Sequence, residues 1–156
     1  MPVGLFQRLA DPFVLRALRA DHPTRLGRSL LLLTVRGTRT GREFTLPVQY
    51  VRENGTIWVI PGHAEGKTWW RNLRSDAPVR VHVEGTELTG TGRAISGDVD
   101  PEEVVRGLRV YLRRFPAAAR AVGIKADASE DALRSAAARS VLVRIQTERG
   151  EAPPPT

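Results

Sequence analysis

Cysteine is absent, lysine occurs only at Lys67 and Lys125, and the aromatic share is 6%. Without cysteine there is no disulfide framework, no thiolate metal site and no thiol nucleophile. No apolar run approaches the length needed to cross a bilayer, and no charged n-region, apolar h-region and cleavage site open the chain, so a cytoplasmic location is the expectation. The familiar catalytic patterns are missing too: no two-histidine metal helix, no strand-to-helix serine elbow, no P-loop and no dinucleotide glycine fingerprint. His22, His63 and His82 are separated by too much unlike structure to form a cluster, and no metal site is expected. An enzyme built from these residues would borrow its reactive atom from a cofactor.

What is present describes an ordinary globular domain. At 156 residues, 41% hydrophobic and 26% charged, the chain is long enough to bury a core without staples. It is expected to form a single domain over 1–146, with a helical N-terminal segment over 1–28 and a disordered tail over 147–156. The formal charge of +7 invites polyanions, yet the arginines are scattered over almost every element. The densest group, Arg106, Arg109, Arg113 and Arg114, has no aromatic platform beside it and reads as a solvated helix face, so no nucleic-acid partner is expected.

The informative stretch runs from Ser29 to Leu73. Leu30 to Val35 is an unbroken run of strand length, and Phe44, Leu46, Val48 and Tyr50 alternate with polar or turn-forming residues. Between them lies Gly37-Thr38-Arg39-Thr40-Gly41-Arg42. Glycines permit positive φ and leave N–H groups uncovered, while the guanidinium forks suit phosphate or carboxylate oxygens, so the turn reads as an anion cradle; a solvated surface turn is the competing reading. Pro47 cannot donate to a ladder, which places it at a bulge or a sheet edge. Glu53-Asn54-Gly55 signals a tight hairpin, and Ile57 to Pro61 returns as a third strand. A helix is expected near Lys67, its N-terminus favouring an anion that His63 and Lys67 could also touch. On it, adjacent Trp69 and Trp70 cannot point the same way, so one is expected in the core and the other beside a planar ring.

Further along, Val79, Val81 and Val83 alternate towards a turn at Glu84-Gly85, and His82 is expected to be an exposed strand residue. Gly90 and Gly92 in the return strand imply a strong bend. Asp100-Pro101-Glu102-Glu103 reads as a full helix start, with the carboxylate at 103 closing a capping box. Val104, Leu108, Tyr111, Leu112 and Phe115 then form one apolar stripe. Helical turns after Pro116 and from Ser129 to Arg139 precede a closing strand over Ser140 to Ile145. At the other end, Leu5, Phe6, Leu9, Phe13, Leu15 and Leu18 suggest short helices that pack as a lid on the barrel; the sharper alternative is a peripheral contact with a membrane or partner.

Three motifs in order, Gly37-Thr-Arg-Thr-Gly41, Thr45-Leu46-Pro47-Val48 and Trp69-Trp70-Arg71-Asn72-Leu73, resemble the deazaflavin-dependent nitroreductase family. The likeness runs from about Leu30 to Ile95 and, by element order, to Ile145. It implies an α+β fold: a split β-barrel (FMN-binding-like) of six to seven mainly antiparallel strands with flanking helices. It also implies coenzyme F420 as cofactor and hydride transfer to a small electron-poor acceptor, a quinone, enone or nitroaromatic. Carried over by position, Arg39, Thr40, Gly41 and Arg42 would hold the anionic tail. Pro47, Val48, Gln49, Ile60, Pro61 and Gly62 would border the ring, with His63 and Lys67 near a phosphate. Trp69, Trp70 and Asn72 would support the ring; Tyr111 is a candidate for lining the acceptor pocket, though its place on the apolar stripe favours core packing. Barrels of this kind are often homodimers. The chain departs from the family at Phe44, where a further basic residue is common, and at Ala117, Ala118 and Ala119, where nitroreducing members carry tyrosines around a proline; the acceptor is left open. FMN on the same barrel, or a non-catalytic barrel holding haem or lipid, are the alternative readings.

Overall fold

The computed structural model describes residues 30–61 and 69–148. The N-terminal helical segment with its lid or membrane reading, His22, and the Gly62, His63 and Lys67 positions lie outside the described residues. Among the described residues no helix is long and apolar enough to cross a membrane.

Seven strands form one sheet: β1 (Leu30–Arg36), β2 (Glu43–Gln49), β3 (Val51–Glu53), β4 (Thr56–Val59), β5 (Ala77–Val83), β6 (Thr86–Ser96) and β7 (Val141–Thr147). Their spatial order is β2-β1-β5-β6-β7-β4-β3, and every pairing is antiparallel. β2 and β3 are thus the two outer strands of the order, yet only Tyr50 separates them in the chain. Opposite edges of a sheet can be one residue apart only if the sheet curls round on itself, and this makes the expected split β-barrel. Pro47 sits on an edge strand, where its missing N–H costs no ladder bond.

The curl is concentrated in β6. Its first half pairs with β5 and its second half with β7, and the two registers overlap at Gly90 to Gly92. A Cβ on Gly90 would lie 2.5 Å from the carbonyl oxygen of Gln146, and one on Gly92 would press on Val79 and Leu73. Both hairpin tips are as the sequence suggests: Asn54 and Gly55 have φ of 52° and 81°, and Glu84 and Gly85 have φ of 49° and 80°.

Two apolar clusters result. Leu31, Leu33, Val35, Leu46, Val48, Tyr50, Ile57, Val59, Trp69 and Leu73 fill the barrel with the valines of β5. Val51, Trp58, Ile95 and Leu142 face the other way, under helix α1 (Pro101–Arg114). Gly107 lets α1 approach, since a Cβ there would lie 2.1 Å from a Leu142 methyl and 2.7 Å from the Trp58 ring. A 3-10 helix over Pro116–Val122 and α2 (Glu130–Ala138) complete the layer.

Several expectations need correction. Asp100 does cap α1 through the N–H of Glu103 at 3.2 Å, but the Glu103 carboxylate does not close a capping box. It is buried, and it binds Arg144 of β7 and Arg106 of its own helix. Two guanidiniums attract it more strongly than the Asp100 N–H it was expected to reach. Of the arginines expected on a solvated helix face, Arg109 pairs with Glu130 and Arg114 lies 4.7 Å over the Phe115 ring, while Arg113 is exposed with no ion pair among the described residues; Arg134 of α2 binds Glu102 at 2.6 Å. His82 is half-buried, not exposed, and lies 4.0 Å from Glu87. Phe44, first of the alternating apolar set, stays exposed because the barrel interior begins at Leu46. The last strand runs through Thr147, two residues beyond the expected end at Ile145, and the Glu148 N–H reaches the Thr89 carbonyl at 3.0 Å.

Replacing Glu103 by Gln should therefore lower stability by about 2–3 kcal/mol in urea unfolding, below the usual cost of orphaning a buried charge because Arg144 keeps part of its guanidinium in water. Gly107→Ala should cost about 1–3 kcal/mol by overpacking against Trp58.

Candidate cofactor and acceptor site

The β1–β2 connection is a folded turn. The Gly37 N–H donates to the Arg42 carbonyl and the Gly41 N–H to the Gly37 carbonyl, each at 2.8 Å, and the Arg42 N–H donates to Thr40 Oγ1 at 3.2 Å. Gly41 takes φ of 73° with open space where a Cβ would stand. The uncovered N–H groups expected here are thus fewer than the sequence implies. Those of Gly37, Thr38, Gly41 and Arg42 are taken within the protein, leaving those of Arg39 and Thr40 without partners among the described residues. The side chains are another matter. Arg39 and Arg42 are exposed and have no ion pair among the described residues, while nearby Arg36 and Arg80 both lean on Glu43, at 3.9 and 3.0 Å.

Asn72 fixes this turn to the neighbouring element. Its Oδ1 accepts from the Thr38 N–H at 3.0 Å and from Thr38 Oγ1 at 3.3 Å, and its Nδ2 donates to the Trp69 carbonyl at 3.0 Å. The expected tryptophan helix is, where described, a five-residue 3-10 turn, Trp69–Leu73. Leu73 is drawn into the barrel over Gly92, and the chain must re-enter β5 at Ala77, which ends the turn at Leu73. The two indoles separate as expected. Trp69 is in the core, and Trp70 is half-buried with the Arg71 and Arg74 guanidiniums 5.7 and 5.9 Å from its ring centre. Beside Trp70 a cleft of about 600 Å³ opens towards Arg93, Ile95, Val99 and Arg144.

A second grouping lies along the β2 edge. β3 pairs with β4 so that Val51 faces Trp58, and Tyr50 alone separates β2 from β3, so the end of β2 follows directly on that hairpin. Pro47, Val48 and Pro61 are buried, Ile60 is half-buried and Gln49 is exposed. Of the two readings of Tyr111, acceptor-pocket lining and the core packing that its apolar stripe favours, the structure shows the core: it is enclosed, with 1% exposure, and packs its ring 5.7 Å from that of Phe115. Its hydroxyl donates to Gln49 Oε1 at 2.7 Å, and burial pushes its pKa up, so it stays a neutral donor. The Gln49–Tyr111 contact was not foreseen: β2 polarity and the helical stripe are each visible in sequence, but nothing local pairs residues so far apart.

The sequence profile of the F420H(2)-dependent quinone reductases matches residues 13–127. The chain belongs to that family. F420 is accordingly its cofactor, and the protein is an F420-dependent reductase. Among solved structures it is similar to the F420-H2 dependent reductase FDR-A, at 20% identity and TM-score 0.55 over 76% of this chain and 94% of that one. It is also similar to a protein described as a domain-swapped dimer, at 17% identity and TM-score 0.58 over 93% and 99% of the two chains. At these identities what is shared is the split-barrel fold. No curated protein sequence matches the chain.

The residues present fit the cofactor. Two guanidiniums free of carboxylates, on a turn with open space above Gly41, suit an anionic tail, and a half-buried indole stands on the element to which that turn is bonded.

If Asn72 is the clamp, Asn72→Ala should cost about 1–2 kcal/mol for the lost hydrogen bonds and speed amide exchange at Thr38 more than at the β1–β2 ladder, as measured by hydrogen exchange.

Proposed function

We propose that this reductase transfers a hydride from reduced F420 to a small electron-poor acceptor, a quinone first and an enone or nitroaromatic next. The tail is held by Arg39, Thr40, Gly41 and Arg42, and the ring lies along the edge where Pro47, Val48 and Gln49 meet Ile60 and Pro61. The observation that carries the reading is the pair of guanidiniums at Arg39 and Arg42, which have no ion pair among the described residues while Arg36 and Arg80 on the adjoining strands lean on Glu43. A structural turn has no use for two free cations; a tail bearing phosphate and carboxylates does.

When bound, reduced F420 supplies two electrons and one proton as a hydride, and a quinone that takes them with a further proton from water becomes a quinol. The chain's own residues bind and orient. Arg39 and Arg42 hold charge, the free N–H groups of Arg39 and Thr40 add directed donors, and Asn72 keeps the turn at a fixed distance from Trp69. The buried Pro47, Val48 and Pro61 give a dry floor that strengthens polar contacts made above it. Alignment of ring and acceptor is the main contribution required, because the hydride chemistry belongs to the cofactor. Self-association is part of the reading, supported by the domain-swapped relative, and sedimentation velocity tests it.

Arg39→Ala and Arg42→Ala should each raise the F420 Kd by about 10- to 100-fold, as expected for a charged hydrogen bond of about 1.5–3 kcal/mol, while urea midpoints hold. Fluorescence titration checks this, with FMN as control ligand. Unchanged affinity in both variants, or tight FMN binding without F420 binding, would overturn the tail assignment.

A further inference from the structure

Gln49 and Tyr111 form a polar pair at the junction of sheet and helix that the fold does not require. Gln49 is the last residue of β2, exposed, on a strand edge that has no ladder partner beyond it. Its side chain could turn freely in water, yet it is held by a tyrosine 62 positions away, through a 2.7 Å bond from the phenol to Oε1. Tyr111 itself cannot rotate. Its ring is enclosed between Phe115 and the residues beneath α1, Leu108 and Leu142 among them. A primary amide has one oxygen and two N–H donors on opposite sides. With the oxygen turned inwards to the phenol, the two N–H groups of Nε2 face away from the helix, towards the solvent side of the β2 edge. Among the described residues no partner takes them.

We infer that Gln49 is the donor that binds the acceptor's carbonyl oxygen during hydride transfer, and that Tyr111 is a positioning residue that holds the Gln49 amide with its donors outward. This rests on the ring lying along the β2 edge as proposed above. As the hydride arrives, negative charge develops on the acceptor oxygen, and a donor already aimed there stabilises it without reorganisation. Free in solvent, the amide would present its oxygen as often as its nitrogen, and the oxygen would repel the same charge. Tyr111 is suited to fixing that choice because a phenol in an apolar setting donates and does not ionise. The acceptor class follows from the chemistry of the donor: an uncharged N–H pair at a dry edge selects a ketone-like oxygen, as in a quinone or enone, over an anionic acceptor.

The test compares Tyr111→Phe, Gln49→Leu and the double variant with the parent, using reduced F420 and menadione. Tyr111→Phe keeps the ring that packs on Phe115, and urea midpoints verify that the variants fold. F420 affinity by fluorescence should stay within about twofold in Tyr111→Phe, which touches neither tail nor ring, and kcat is compared at saturating reduced F420 because Gln49 itself borders the ring. For Gln49→Leu, kcat should fall about tenfold with little change in KM. Tyr111→Phe should fall about fivefold, and the double variant should match Gln49→Leu alone, because Tyr111 acts only through Gln49. A second readout needs no turnover. In protein saturated with oxidised F420, the Gln49 side-chain amide resonances should shift on adding menadione in the parent and shift much less in Tyr111→Phe. Losses that multiply in the double variant, or a menadione shift equal in parent and Tyr111→Phe, would overturn the positioning role. An unaffected kcat in Gln49→Leu would overturn the donor role. Failure of the parent to bind F420 at all would instead overturn the cofactor placement, and the titration alone reports that.

Discussion

The structure depends on the passage through Tyr50. β2 and β3 would be one strand but for this residue, and they lie at opposite ends of the strand order. Tyr50 turns its ring into the barrel, where its hydroxyl reaches the Glu84 carboxylate at the far hairpin tip, 3.2 Å away. Burial, and then that carboxylate, push its pKa up, so it remains a donor there. The next residue, Val51, faces the opposite cluster under α1. One residue thus moves the chain from one apolar compartment to the other, and the gap left between the end of β2 and the end of β4 is the split in the barrel. A groove in which flat ligands can lie is a consequence of closing the sheet this way.

Two ties make the groove usable. At one end Asn72 bonds the basic turn to the tryptophan element, and at the other Tyr111 bonds the edge strand to the helix layer. Both are hydrogen bonds from residues close to the core to residues that would otherwise be loose at the surface. A turn or an amide held in this way loses little further conformational entropy when a ligand arrives, which is the gain from preorganisation. The Glu103–Arg144 pair belongs to the same logic on a larger scale, since it fastens the start of α1 to β7 and so fixes where Tyr111 emerges.

Much of this was legible in the sequence, and the reason differs by element. The hairpins at Asn54-Gly55 and Glu84-Gly85, the alternation in β5 and the capped start of α1 are local signals, and each appears where its residues indicate. The edge position of Pro47 was legible because a missing N–H is a local fact with a global meaning. Contacts between distant segments were not. Glu103 looked like half of a capping box until β7 brought Arg144 beneath it, and the apolar stripe that puts Tyr111 in the core says nothing of the Gln49 amide at its hydroxyl. The 3-10 form of Trp69–Leu73 was equally hidden, because helical spacing does not reveal how soon β5 must begin.

The distribution of charge completes the argument. Carboxylates accompany Arg106 and Arg109 of α1, Arg134 of α2, and Arg36 and Arg80 of the β1–β5 surface. Arg39, Arg42, Arg71 and Arg74 have no ion pair among the described residues, and they stand on the turn, on the 3-10 helix and on the residue after it, elements that Asn72 ties together. At physiological ionic strength a surface charge is felt over about 8 Å. The chain's overall positive charge therefore matters less here than this local group of four arginines on one turn and the short helix beside it. A duplex needs a track of cations along its backbone. A short anionic tail needs only a patch of this size, placed so that whatever ring it carries falls beside the open edge of β2.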